Sequence, residues 1–158
     1  MAELGILKTF ASHPFLSGLA DQHLMLLASG ASPFTAEPDE FLGRAGEPAH
    51  ALYLIQSGCV TIGVHKPDSE ITPLRTAGPG EAVGWSWLVP PHTWHFDFCA
   101  VDRVQGLLFN ATWLREQCEQ RHELGYHFLN RYVAVLTSHL AALRTQFPDL
   151  DWHLRGIE

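Results

Sequence analysis

From Ala31 to about Phe109 the chain is broken by turn signals at short, regular intervals, and no other feature restricts its fold as strongly. Glu37-Pro38-Asp39-Glu40, Ala45-Gly46-Glu47-Pro48, Ser57-Gly58, Lys66-Pro67-Asp68-Ser69 and Gly78-Pro79-Gly80 are all such signals. In them proline presets φ and glycine reaches conformations closed to other residues. Between them lie short β-like runs such as Leu52-Tyr53-Leu54-Ile55-Gln56 and Cys59-Val60-Thr61-Ile62-Gly63-Val64. Many short strands at regular spacing predict a β sandwich or jelly roll. Ser12 to Gly30 reads as short helices, with Gly30 as the C-cap. Helical texture returns at Ala111-Thr112-Trp113-Leu114 and runs, with one break, to Phe147, where Pro148 ends it. The expectation is an α+β domain over residues 1–147, with an antiparallel jelly roll, short N-terminal helices and a long C-terminal helix over about 123–147. Residues 148–158 form a tail.

Composition narrows the function classes. With 158 residues and 46% apolar side chains the chain suits one domain with a sizeable core. A net charge of −7 argues against a nucleic-acid surface, which needs a basic face. No apolar run is long enough to span a bilayer, and Glu3 and Lys8 interrupt the one stretch resembling a signal segment. Cys59, Cys99 and Cys118 are scattered and odd in number, the pattern of reduced thiols in a cytoplasm. The expectation is a cytoplasmic protein without a membrane anchor.

The long helix carries two apolar lines. Leu129, Val133, Leu136, Leu140, Leu143 and Phe147 follow a 4-3-4-3-4 spacing, a heptad seam. Leu124, Phe128, Tyr132 and Val135 run beside it. A helix that caps one barrel needs a single apolar face, so two faces imply two partners. The alternative is one wide face against the domain's own core. The first reading makes Val133, Leu136, Leu140, Leu143 and Phe147 a homodimer interface.

Three stretches together resemble a known family. His13-Pro14-Phe15-Leu16-Ser17-Gly18-Leu19 is similar to an opening helix. The run Phe41 to Val60 contains F-x-G-x-x-G-E followed by L-Y-x-I-x-x-G-x-V. Leu74 and Gly78-Pro79-Gly80-Glu81-Ala82-Val83-Gly84 then approach a loop. This order resembles the cyclic-nucleotide-binding domain of catabolite-activator/Fnr type regulators. The resemblance implies that Gly84 opens a phosphate cassette, which in the family continues with a glutamate for the ribose and, some ten residues on, an arginine for the cyclic phosphate. Here Trp85 stands in the glutamate's place and Trp94 or His95 in the arginine's. Between Arg75 and Arg103 there is no lysine or arginine, and a phosphate would meet Glu81 and Asp97 instead. A charge-assisted contact contributes about 1.5–3 kcal/mol, so losing both predicts no tight binding of cAMP or cGMP. Full-length regulators of this type append a winged helix-turn-helix after the long helix. The residues from Pro148 to Glu158 leave room for none, which implies no direct reading of DNA.

The candidate ligand-contacting set is Gly84, Trp85, Ser86, Trp87, Trp94 and His95, with Thr137 and Ser138 from the stretch of the helix that reaches the nucleotide base in the resembled family. Trp85, Trp87, Trp94, Phe96 and Phe98 either line a pocket for a small aromatic or apolar ligand, or one or two tryptophans fill the vacated site. Filling is the expectation, with Trp85 and its neighbours in the gap. An alternative sensor would bind phosphate through backbone N–H groups at Gly84–Trp87. Among ten histidines, His92 and His95 sit three apart, but two ligands rarely make a metal site, and no haem-ligand spacing is distinctive. His122, His127 and His139 lie on the long helix. No nucleophile elbow, HExxH or phosphate-loop motif is present, and His50 and His65 do not form the H-x-H pair that opens a cupin metal site. The chain reads as a non-enzymatic regulatory or interaction module without cofactor or metal, acting as a homodimer or with a protein partner.

Overall fold

The structure is a computed structural model that describes residues 2–69 and 71–146. Helix α1 (Ala2–Ser12), a single 3-10 turn (Pro14–Leu16) and helix α2 (Asp21–Gly30) precede eight strands. These are β1 (Ala31–Ala36), β2 (Phe41–Gly43), β3 (Ala51–Ser57), β4 (Val60–His65), β5 (Ile71–Ala77), β6 (Ala82–Val83), β7 (Asp97–Ala100) and β8 (Val104–Asn110). Helices α3 (Ala111–Gln120) and α4 (His122–Gln146) follow. The strands form two antiparallel sheets in the orders β1-β8-β3-β6 and β2-β7-β4-β5, as the turn spacing predicts.

Strand β3 explains why its sequence is a continuous apolar run. Successive side chains point to opposite faces of a strand, and both faces of β3 are covered. Leu52 and Leu54 enter a core with Leu16, Leu24, Leu27, Leu114, Leu124 and Phe128 from the helices. Ala51, Tyr53 and Ile55 enter the core between the sheets, with Val60, Ile62, Val83, Trp94 and Phe98. Polar alternation would leave one of these cores unsatisfied.

Three local expectations change. Helix begins at Ala2 rather than near Ser12. Gly30 does not cap α2; it is the last helical residue, and the chain leaves in extended conformation at Ala31. A Cβ at Gly30 would lie 2.3 Å from the Trp113 indole, so the glycine serves close packing. The expected break in the C-terminal helical region falls at Arg121, with φ −130 and ψ 91. Phe147 and the tail from 148 to 158 lie outside the described residues.

Histidines fasten the N-terminal segment. His13 Nδ1 accepts from the Phe15 N–H at 3.3 Å, and its other nitrogen, Nε2, donates to the Ile55 carbonyl at 3.1 Å. Only the neutral ring can do both. His127 on α4 meets the Phe15 carbonyl at 3.3 Å, and Arg131 donates to Ser17. Burial holds both histidines below their ordinary pKa; for His127 the neighbouring Arg131 and His23 lower it further. An unfolded histidine takes up a proton near pH 6.5, a folded one only at lower pH, so stability is complete above 6.5 and falls as acid drives through the folded pKa. The melting temperature is therefore expected to be flat from pH 8 to 7 and to drop between 6.5 and 5. A flat or rising melting temperature over that lower interval contradicts this account.

Candidate functional site

The site is the irregular segment between β6 and β7. Val83 ends β6, and Gly84 turns the chain with φ +98, where a side chain is strained. A tight turn follows, in which the Leu88 N–H donates to the Trp85 carbonyl at 3.0 Å. Two bolts hold it. Trp87 is fully buried; its Nε1–H donates to the Tyr132 hydroxyl at 2.8 Å, and that hydroxyl donates to the Gly84 carbonyl at 2.8 Å. The Trp87 ring also stands edge-on to Phe128, at 5.5 Å between centroids. Burial raises the Tyr132 pKa far above the ordinary phenol range, so the hydroxyl keeps its proton. From α3, Arg115 donates to the Trp87 carbonyl at 2.7 Å. The second half of the segment pairs with the turn after β2: Trp94 N–H donates to the Glu47 carbonyl at 2.9 Å, and Gly46 N–H to the Trp94 carbonyl at 2.8 Å.

The tryptophans do not share the work as expected. Trp85 is half-buried, packed against the edge of the helix-side core and edge-on to Phe96 at 6.0 Å, and does not enter the core between the sheets. Trp94 does: it is 2% exposed, between the sheets. Ser86 is buried with its hydroxyl 3.0 Å from His95 Nδ1, while His95 itself is exposed. Thr137 and Ser138 are exposed, and the Thr137 hydroxyl donates to its own helix at Val133, 2.8 Å away. His139 is the member of that stretch turned inward; burial lowers its pKa, Arg75 lowers it further and Glu81 opposes the shift.

The two acids expected to repel a phosphate are engaged elsewhere. Glu81 is ion-paired with Arg75 and accepts from the Gly78 N–H at 2.6 Å. Asp97 is buried, with Oδ1 accepting from the Ala45 N–H at 2.9 Å and Oδ2 from the His65 N–H at 2.6 Å. Among the described residues no three His, Cys, Asp or Glu side chains converge to hold a metal. The cysteines are free thiols, and burial pushes that of Cys118 up to about 11, far from a reactive thiolate.

On α4, Leu124, Phe128 and Tyr132 are buried against the domain, whereas Leu129, Val133, Leu136, Leu140 and Leu143 are exposed. Phe128 is 1% exposed and Val133 61%, so one wide face against the domain's own core is ruled out. Tyr126, 68% exposed, extends the same seam by one step toward the N-terminus. Its position three before Leu129 was a readable signal that the sequence reasoning missed. Arg115, distant from Trp87 along the chain, left no such signal.

A family model for the cyclic nucleotide-binding domain matches residues 33–121, more than half of the chain. The chain belongs to the cyclic nucleotide-binding domain family. A search of curated protein sequences finds no match. Among solved structures, a cyclic nucleotide-binding domain from Methylobacillus flagellatus KT aligns with TM-score 0.73 at 18% identity, over 94% of this chain and 83% of that one. The sensor domain of the transcriptional regulator DNR from Pseudomonas aeruginosa gives 0.67 at 19%, over 95% and 96%. The regulatory subunit of a cAMP-independent protein kinase A from Trypanosoma cruzi, bound to guanosine, gives 0.66 at 23%, over 86% of this chain and 50% of that one. At these identities the likeness is one of fold, and it agrees with the jelly roll and C-terminal helix described above.

Proposed function

We propose that the chain is a non-enzymatic regulatory or interaction module, a homodimer whose cassette takes no cyclic nucleotide. The observation that carries this is the state of the cassette's charges. Arg75 is paired with Glu81, Arg115 is spent on the Trp87 carbonyl, and the segment from 76 to 102 supplies no lysine or arginine. A desolvated phosphate beside indoles would lack its counter-charge. Calorimetry on the unmodified protein tests it: cAMP and cGMP are expected to bind no tighter than about 1 mM, roughly −4 kcal/mol. Micromolar affinity for either would overturn the proposal.

The seam supports the dimer. Tyr126, Val133 and Leu140 occupy one heptad position and Leu129, Leu136 and Leu143 the other. Leucine throughout the second position, with valine central in the first, favours two parallel strands. No helix among the described residues is long and apolar enough to cross a membrane. A net charge of −7 supports a protein partner over nucleic acid.

One observation favours a second reading, a sensor of an uncharged small molecule: the T. cruzi neighbour is cAMP-independent and holds guanosine, which has no phosphate. Titration with guanosine in the same calorimeter separates the two, heat of binding supporting the sensor.

A further inference from the structure

We propose that Trp94 is a ligand the chain carries within itself, seated in a slot shaped for a flat, uncharged bicyclic aromatic ring, and that it keeps the cassette closed without any small molecule. The inference rests on the reading that the cassette takes no cyclic nucleotide. The slot is defined at its two ends by residues that lack a Cβ. At Gly43, closing β2, an added Cβ would lie 2.6 Å from Trp94 Nε1. At Gly84, opening the cassette, it would lie 2.6 Å from Cζ3 on the opposite edge of the indole. Separations under about 3 Å between such atoms are not sustained, so both ends require glycine for the ring to fit. Phe98 and His50 meet the ring edge-on at 5.0 and 6.1 Å.

The indole nitrogen supplies an independent observation. Trp94 Nε1 is buried and has no hydrogen-bond partner. Buried tryptophans ordinarily place that N–H on an acceptor, as Trp87 does with Tyr132. The slot therefore recognises the shape of the bicycle and offers nothing to its polar atom. A purine, with several ring nitrogens and exocyclic groups, would leave more polar atoms unpartnered there than indole does. Because Trp94 is tethered by backbone hydrogen bonds to Gly46 and Glu47, its local concentration exceeds that of any free competitor. The cassette next to Gly84 is thus occupied from the moment the chain folds.

The experiment is Trp94→Gly, followed by thermal melting and by hydrogen exchange of the segment 84–92, with and without millimolar indole or benzothiophene. The variant is expected to melt roughly 6–20 °C below wild type, with faster exchange in the segment. Both aromatics should restore melting temperature and protection, benzothiophene as well as indole because the slot offers no acceptor. Wild type should respond to neither. Unchanged melting, unchanged cassette exchange, or equal uptake of indole by wild type would overturn the proposal. Should the variant fail to fold, hydroxyl-radical labelling of wild type decides: Trp85 is expected to label and Trp94 to be protected, and equal labelling sinks the idea. Micromolar cAMP binding would remove the proposed function and, with it, the claim that Trp94 closes the cassette, whereas a Trp94→Gly variant that indole does not restore, with cAMP still unbound, would remove this inference alone.

Discussion

Replacing Leu136 and Leu140 together with glutamate is expected to convert the protein from a dimer of twice 17.6 kDa into a monomer of that mass. Both side chains are exposed on the isolated chain, so the domain itself should fold and melt nearly unchanged. In the dimer the substitution would bury four carboxylates along an apolar seam, which should weaken association by about a thousandfold or more. Sedimentation equilibrium at tens of micromolar (a concentration suited to a modest interface) reads both species. A wild type that sediments as a monomer there would remove the dimer from the proposal. The buried line on the same helix, Leu124, Phe128 and Tyr132, would then be its sole structural role.

The second large effect concerns one hydroxyl. Tyr132→Phe removes the group that accepts from Trp87 Nε1 and donates to the Gly84 carbonyl, leaving two buried polar groups without partners. Each costs about 1–3 kcal/mol, against a small gain in apolar character. For a chain of this size the melting temperature should fall by roughly 5–15 °C. A Tyr132→Phe variant that melts within a degree of wild type would show that the hydroxyl is not a bolt on the cassette.

Sequence and structure part company at identifiable places. Turn residues and alternating or doubly buried runs are local properties, so the strands and the long helix could be read directly. Helix α1 escaped because, of the side chains that the structure describes there, only Phe10 is buried, too little for an apolar periodicity. Within the cassette, position along the loop cannot show which way a ring points. Trp85 and Trp94 look like equivalent replacements for charged residues, yet one lies half-buried at the edge of the helix-side core and the other fills the space between the sheets. Glu81 and Asp97 looked like repulsive charges because their acceptors' partners, backbone N–H groups at Gly78, Ala45 and His65, have no sequence signature. Arg115 reaches the loop through space, where a count of cations along the chain does not look.

Asp97 has a consequence for what can stand at its position. It begins β7, the strand that lies between β2 and β4, and its two oxygens take the N–H groups just past β2 and at the end of β4. An asparagine would set an NH2 group against one of those N–H donors, and a shorter or apolar residue would abandon both. The carboxylate at 97 thus serves for its two-sided acceptor geometry, in a segment where an acid would otherwise be read as a statement about ligands. Mutational tolerance here should follow the count of lone pairs and ignore the chemistry of any bound molecule.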